Sequence, residues 1–220
     1  MAQMLQDDDS TAKHIEQTRR HQRRCRRTKG AADFASRIEA VRAALEQADQ
    51  ETWRRTKAEQ DARDDLELAD GEQDDEVITT SDRASEYDRD NPGQRVHELL
   101  FPTGRRSDVT DESILLQPDE VEIIAGRIEG LGEAHPLFPR AASLRGRATA
   151  SRNAVRNLGE TLRQRKLAEA DEEMAQAALR RAYEANYLDA RKTLGKRIAE
   201  RLFPRIQRRK PPAPGAPPPD

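Results

Sequence analysis

Aromatic and apolar residues are scarce in this chain. Only 4% of its 220 residues are Phe, Trp or Tyr, 35% are hydrophobic, and one is cysteine. A single thiol, Cys25, excludes an internal disulfide framework. So few rings and aliphatic side chains exclude a thick core, and they leave a narrow apolar seam along helices as the mode of burial. The longest apolar runs, such as Ile123-Ile124-Ala125, fall far short of the ~20 residues of a membrane-spanning helix. The first residues lack the apolar stretch of a signal peptide. A cytoplasmic location and no membrane insertion are therefore expected. Residues of β-branched or aromatic type rarely alternate with polar ones, which gives strands no support.

What the chain has in abundance is charge, 36% of its residues, set among strong helix formers such as Ala, Glu, Arg, Gln and Leu. The formal net charge of −2 conceals a division. Residues 51–90 carry 15 acidic and 6 basic side chains, a net of −9, whereas 140–210 carry 19 basic and 8 acidic, a net of +11. Such asymmetry points to electrostatic association.

Residues 1–30 read as a basic, flexible N-terminal arm. Arg19, Arg20, Arg23, Arg24, Arg26, Arg27 and Lys29 fall on all sides of a helical wheel, and Ile15 is the only large aliphatic residue there. From Phe34 the spacing changes. Phe34, Ile38, Val41, Leu45, Ala48 and Thr52 recur at heptad-like steps, an amphipathic helix predicted to stop at Gly71 in a glycine cap. A second segment reaches Asn91-Pro92-Gly93, a turn signal, and a short piece ends at Leu100-Phe101-Pro102. Residues 31–102 thus read as a first helical hairpin. Residues 103–139 read as a linker with a short helix at 119–130, opened by Pro118 and Asp119. Residues 140–204 read as a second hairpin whose turn lies near 168–180. Residues 205–220 read as a Pro-rich disordered tail, in which Arg208, Pro211 and Pro214 have the spacing of a polyproline ligand.

Two blocks recur across the halves. Gly93–Pro102 matches Gly195–Pro204 at an offset of 102, sharing Gly, Arg, an aliphatic, Glu, Leu, Phe and Pro in register. Glu51–Lys57 matches Glu160–Lys166 at an offset of 109. The pattern implies an internal repeat. The expected fold is all-α: two tandem long helical hairpins packed as an elongated antiparallel four-helix bundle, with a short linking helix and disordered termini.

No catalytic, cofactor-binding or metal-binding set emerges. His97-Glu98 lacks the second histidine of a zincin, no histidine follows a Glu by three residues as in di-iron bundles, and Cys25 with His21 makes a poor zinc pair among arginines. Walker loops and nucleophile elbows are absent from the sequence. The chain is therefore expected to be a non-enzymatic scaffold or adaptor that binds protein partners or itself. The alternative is nucleic-acid or other polyanion binding through Arg19, Arg20, Arg23, Arg24, Arg26, Arg27 and Lys29, since tracking a phosphate backbone needs density of positive charge rather than fixed spacing. Phe101, Phe138 and Phe203 are the candidate end plugs or partner anchors.

Overall fold

A computed structural model describes residues 4–203. Seven helices account for its regular structure: α1 (Thr11–Arg27), α2 (Ala32–Asp90), α3 (Val96–Leu100), α4 (Ser107–Thr110), α5 (Gln117–Gly130), α6 (Phe138–Leu194) and α7 (Lys196–Leu202). No strand occurs among the described residues, where one isolated bridge joins Pro92 and Gln94. The Pro-rich tail and its polyproline-like spacing lie outside the described residues.

The helices follow from local chemistry. Ser10 caps α1, its hydroxyl accepting from the Lys13 amide, and Pro118 with Asp119 and Glu120 opens α5. Gly93 (φ 98°) and Gly195 (φ 78°) reverse the chain ahead of α3 and α7, a conformation that favours glycine. This is why both copies of the repeated block begin with that residue.

The two hairpins do not form. α2 runs unbroken through Gly71, and α6 runs unbroken through 168–180. A glycine inside a helix costs only about 1 kcal/mol. Continuing α2 buries Val77 and Ala84, at about 1.5–3 kcal/mol for a fully buried Val-sized side chain, and burial outweighs the glycine. In α6 nothing interrupts the pattern between Ala168, Leu179 and Tyr183, all buried.

The chain divides instead into two compact units. The first is Met1–Arg54 with Lys166–Asp220, and the second is Arg55–Arg165. Each long helix therefore gives its opening stretch to one unit and its closing stretch to the other. In the first unit α1 packs on α7, and the α2 and α6 segments run antiparallel, joined by Asn186 to Phe34, Arg37 to Asp189 and Thr52 to Ala168. Its core includes Phe34, Ile38, Leu45, Leu179, Tyr183, Leu202 and Phe203. In the second unit α5 packs on α3, and the segments are again antiparallel, joined by Arg55 to Gln164, Arg147 to Glu72 and Arg140 to Glu76. Val77, Leu100, Phe101, Val121, Ile124, Ile128, Leu137 and Leu144 belong to its core.

The units share one plan. Phe34, Ile38, Val41 and Leu45 lie in or against the core of the first, and Leu137, Ala141, Leu144 and Ala148, each 103 residues on, lie in that of the second. Each unit thus contains a short helix, stretches of both long helices and a closing turn of helix. The match at offset 109 has a different origin. Arg55 hydrogen-bonds Gln164, its own counterpart in that alignment, so those two segments are partners across a pair of helices.

The N-terminal arm also differs from the sequence expectation. α1 buries His14, Ile15, Gln17, Thr18, His21, Gln22 and Cys25. Its inner face is polar and is held by hydrogen bonds, so a search for aliphatic periodicity passes over it.

Candidate interaction surface

The buried side of α1 decides where its arginines point. His21 lies against Phe203 at 4.2 Å between ring centroids and edge-on to Tyr183 at 5.3 Å. Its Nδ1–H donates to the Leu202 carbonyl (3.0 Å), and its Nε2 accepts from the Asn186 amide (3.1 Å). Asn186 donates as well to the Phe34 carbonyl (2.8 Å). Gln22 reaches the Ala35 carbonyl (3.1 Å), and Thr18 bonds back to the His14 carbonyl (2.8 Å). Burial holds the His21 pKa below its usual value, against the opposing pull of the backbone acceptors, and holds His14 down likewise. Cys25 is fully buried beside His21, not an exposed thiol, and burial pushes its pKa up to about 12. Among the described residues no group of three or more His, Cys, Asp or Glu side chains could hold a metal ion.

With that face fixed inward, Arg19, Arg20, Arg23, Arg24, Arg26, Arg27 and Lys29 are all exposed. They are not equally available. Arg19 pairs with Glu46 (2.7 Å), Arg20 with Glu16, and Arg26 weakly with Glu39 (3.7 Å). Arg24 donates to the Arg201 carbonyl (2.7 Å), closing the end of α7. Among the described residues no ion pair joins Arg23, Arg27 or Lys29 to a carboxylate. Arg19, Arg23 and Arg26 line a groove of about 520 Å³ with Glu39, Arg42 and Glu46.

The second unit uses the same frame with other chemistry. Arg127 donates to the Leu100 carbonyl (2.8 Å), as Arg24 does to Arg201. His97 lies against Phe101 at 5.2 Å and bonds Ser81 (3.0 Å). Val121, Ile124 and Ile128 fill α5's inner face where Thr18, His21 and Cys25 fill that of α1. Outside, Leu115, Leu116 and Ile123 are 67%, 55% and 45% exposed, and Leu99 on neighbouring α3 is half exposed. Further along α2, Asp64, Glu67, Leu68, Gly71, Asp75 and Ile78 line an open groove of about 660 Å³.

Of the three phenylalanines singled out by sequence, Phe101 and Phe203 are buried in their units' cores, which leaves neither ring free as a partner anchor. Phe138 is half-buried, and its neighbour Leu137 is the core residue. Sequence reasoning missed the His21–Asn186 pair because nothing in the chain's spacing links positions 165 residues apart. It also missed the exposed apolar set, since Ile123 and Leu116 look like core positions on a short helix. No helix of the described residues is long and apolar enough to cross a membrane. Compared with family models, curated proteins and solved structures, the chain matches none.

Proposed function

We propose that this chain is a non-enzymatic helical scaffold or adaptor that binds protein partners or itself. One observation carries the reading: the exposed apolar set Leu99, Leu115, Leu116 and Ile123 on the second unit. The corresponding positions in the first unit are Arg201, Ala12, Lys13 and Arg20. The shared frame therefore does not require apolar residues there. Clustered exposed apolar residues mark interaction sites, and these have no counterpart demanded by the frame of the first unit. A cytoplasmic location, with Cys25 as a reduced and buried thiol, is part of the proposal.

The test is site-specific. A photo-crosslinking residue at Ile123 is expected to yield a discrete adduct in cells that is missing from the same probe at exposed Ser36. The adduct should be lost when Leu116→Asp is added. No adduct from position 123, or the same adducts from both positions, rejects the reading.

A second reading, polyanion binding by α1, is favoured by the three cations that no ion pair ties among the described residues. Arg23→Gln, Arg27→Gln and Lys29→Gln together should lower retention of duplex DNA at low salt by at least about tenfold and flatten its salt dependence. Substitution is the appropriate probe, because deleting α1 would remove part of the core. Retention unchanged by the triple variant rejects this reading.

A further inference from the structure

The groove on α2 in the second unit combines three features. Asp64, Leu68, Gly71, Asp75 and Ile78 follow one another at steps of four and three, so they form one continuous stripe of the helix. Leu68 is 64% exposed at its centre. Gly71 opens a notch: a Cβ built there would meet nothing within 4 Å. A mid-helix glycine with no close neighbour weakens the helix and serves no packing need within the unit, yet it lets another backbone approach closely.

The stripe is strongly negative. Among the described residues no ion pair joins Asp64, Glu67 or Asp75 to a base, whereas Glu72 is tied to Arg147. Asp74 lines the groove and Asp70 precedes it by one turn of α2; burial raises both carboxyl pKa values, and Asp70, Asp75 and Asp111 raise that of Asp74 further against the Gln117 hydrogen bond. An occupant must therefore bring positive charge, long aliphatic stems to lie over Leu68 and Ile78, and a helical backbone for the notch. The outer face of α1 has these properties. Arg23 and Arg27 are one helical turn apart, Lys29 follows, and no ion pair ties any of the three among the described residues.

We propose that this groove receives the arginine face of α1 from a second copy of the chain. A symmetric contact, groove to groove or α1 to α1, would set like charges against each other. Only the unlike pairing joins opposite charges; two copies satisfy it either reciprocally, as a closed two-fold dimer, or head to tail, which leaves one groove and one α1 face for further copies. Head-to-tail contacts build open chains unless the rotation closes a ring. The proposal rests on the scaffold reading for its class of partner. Its failure would leave the Ile123 crosslink untouched, because that probe reports a different surface.

The experiment uses the full chain and two charge-reversed variants, Arg23→Glu with Arg27→Glu, and Asp64→Lys with Glu67→Lys and Asp75→Lys. Unchanged helix content and thermal midpoint check that each variant folds. Light scattering is read at about 10 mM salt, where charges act over ~30 Å, and at about 1 M, where they act over ~3 Å. Wild type is expected to associate with concentration at low salt, to a dimer or beyond it, and to fall to monomer at high salt. Each variant alone should stay monomeric. An equimolar mixture should associate again at low salt, since the intact groove of one meets the intact α1 of the other and the two reversed surfaces are complementary in turn. Wild type that stays monomeric at low salt overturns the proposal, as does either variant associating like wild type. A mixture that fails to combine also overturns it. DNA retained by the groove variant, with no self-association of wild type, would assign the α1 arginines to polyanions instead.

Discussion

The two compact units are built to one plan and filled with opposite chemistry. In the first, the short helix turns a polar stripe inward and arginines outward. In the second, α5 turns Val121, Ile124 and Ile128 inward, and Leu116 and Ile123 stand outside. The ion pairs are reversed as well. Arg19 of α1 reaches Glu46 of α2, whereas Glu122 at the matching position of α5 reaches Arg145 and Arg152 of α6. What both units keep is the packing skeleton: the closing Leu-Phe, the arginine that bonds the last carbonyls of the short terminal helix, and the long-helix seam. A fold can thus be held by a few shared anchor positions while surface and even half of the interior vary.

The largest effects should come from those anchors. Phe203→Ala and Phe101→Ala are each expected to cost about 3–5 kcal/mol, the range for a buried ring. Phe203→Ala should cost more, because that ring touches His21, Tyr183 and Tyr187 whereas Phe101 touches His97. Chemical denaturation measures both, and equal costs would break the comparison.

Acid should separate the units next. His14 and His21 of the first unit have native pKa values held below the unfolded value of about 6.5. Between pH 7 and 5.5 the unfolded chain takes up protons that the native unit refuses, so stability falls with pH. Asp70 and Asp74 of the second unit are shifted up. The native state there binds protons first, and stability rises as pH falls towards the carboxylate range. Hydrogen exchange by α1 amides should accelerate from pH 7 to 5.5, after correction for the intrinsic rate, more than exchange by α5 amides. The double variant His14→Gln, His21→Gln should remove most of that difference.

Smaller effects test how each closing helix is started. The Asp88 carboxylate accepts from the Val96 and His97 amides at 2.8 and 2.9 Å. Asp88→Ala should cost about 1 kcal/mol, the worth of a cap. Ala190 occupies the matching place in the first unit, and Ala190→Asp should not recover a comparable gain, because that site is fully buried. Last, Gly71→Ala should raise stability by about 0.5–1 kcal/mol, seen as a higher thermal midpoint. A loss would mean that the notch has a structural duty in the second unit.

Much of this is legible in the sequence alone. Heptad steps from Phe34 to Thr52 located the opening of α2. Pro118 and Asp119 located the start of α5, and the Gly-to-Pro blocks located the two matching chain reversals. Gly71 misled because a glycine reads as a stop, although burial further along the helix outweighs its cost. The basic stretch misled in a different way. A helix face of His, Thr, Gln and Cys has no hydropathic signature, and its partners, Asn186 and the carbonyls of Phe34 and Leu202, lie far off in sequence.

The sequence by itself determined an all-helical chain, its narrow seams, its division of charge and its repeated closing block, because these follow from propensity, spacing and turn chemistry within a few residues. Only the tertiary structure decided that the long helices run on without turning back, that each unit joins segments from both ends of the long helices, and which α1 arginines make ion pairs among the described residues. Those outcomes depend on burial and hydrogen bonds between residues more than a hundred positions apart, where the energies of contact outweigh any local preference to stop.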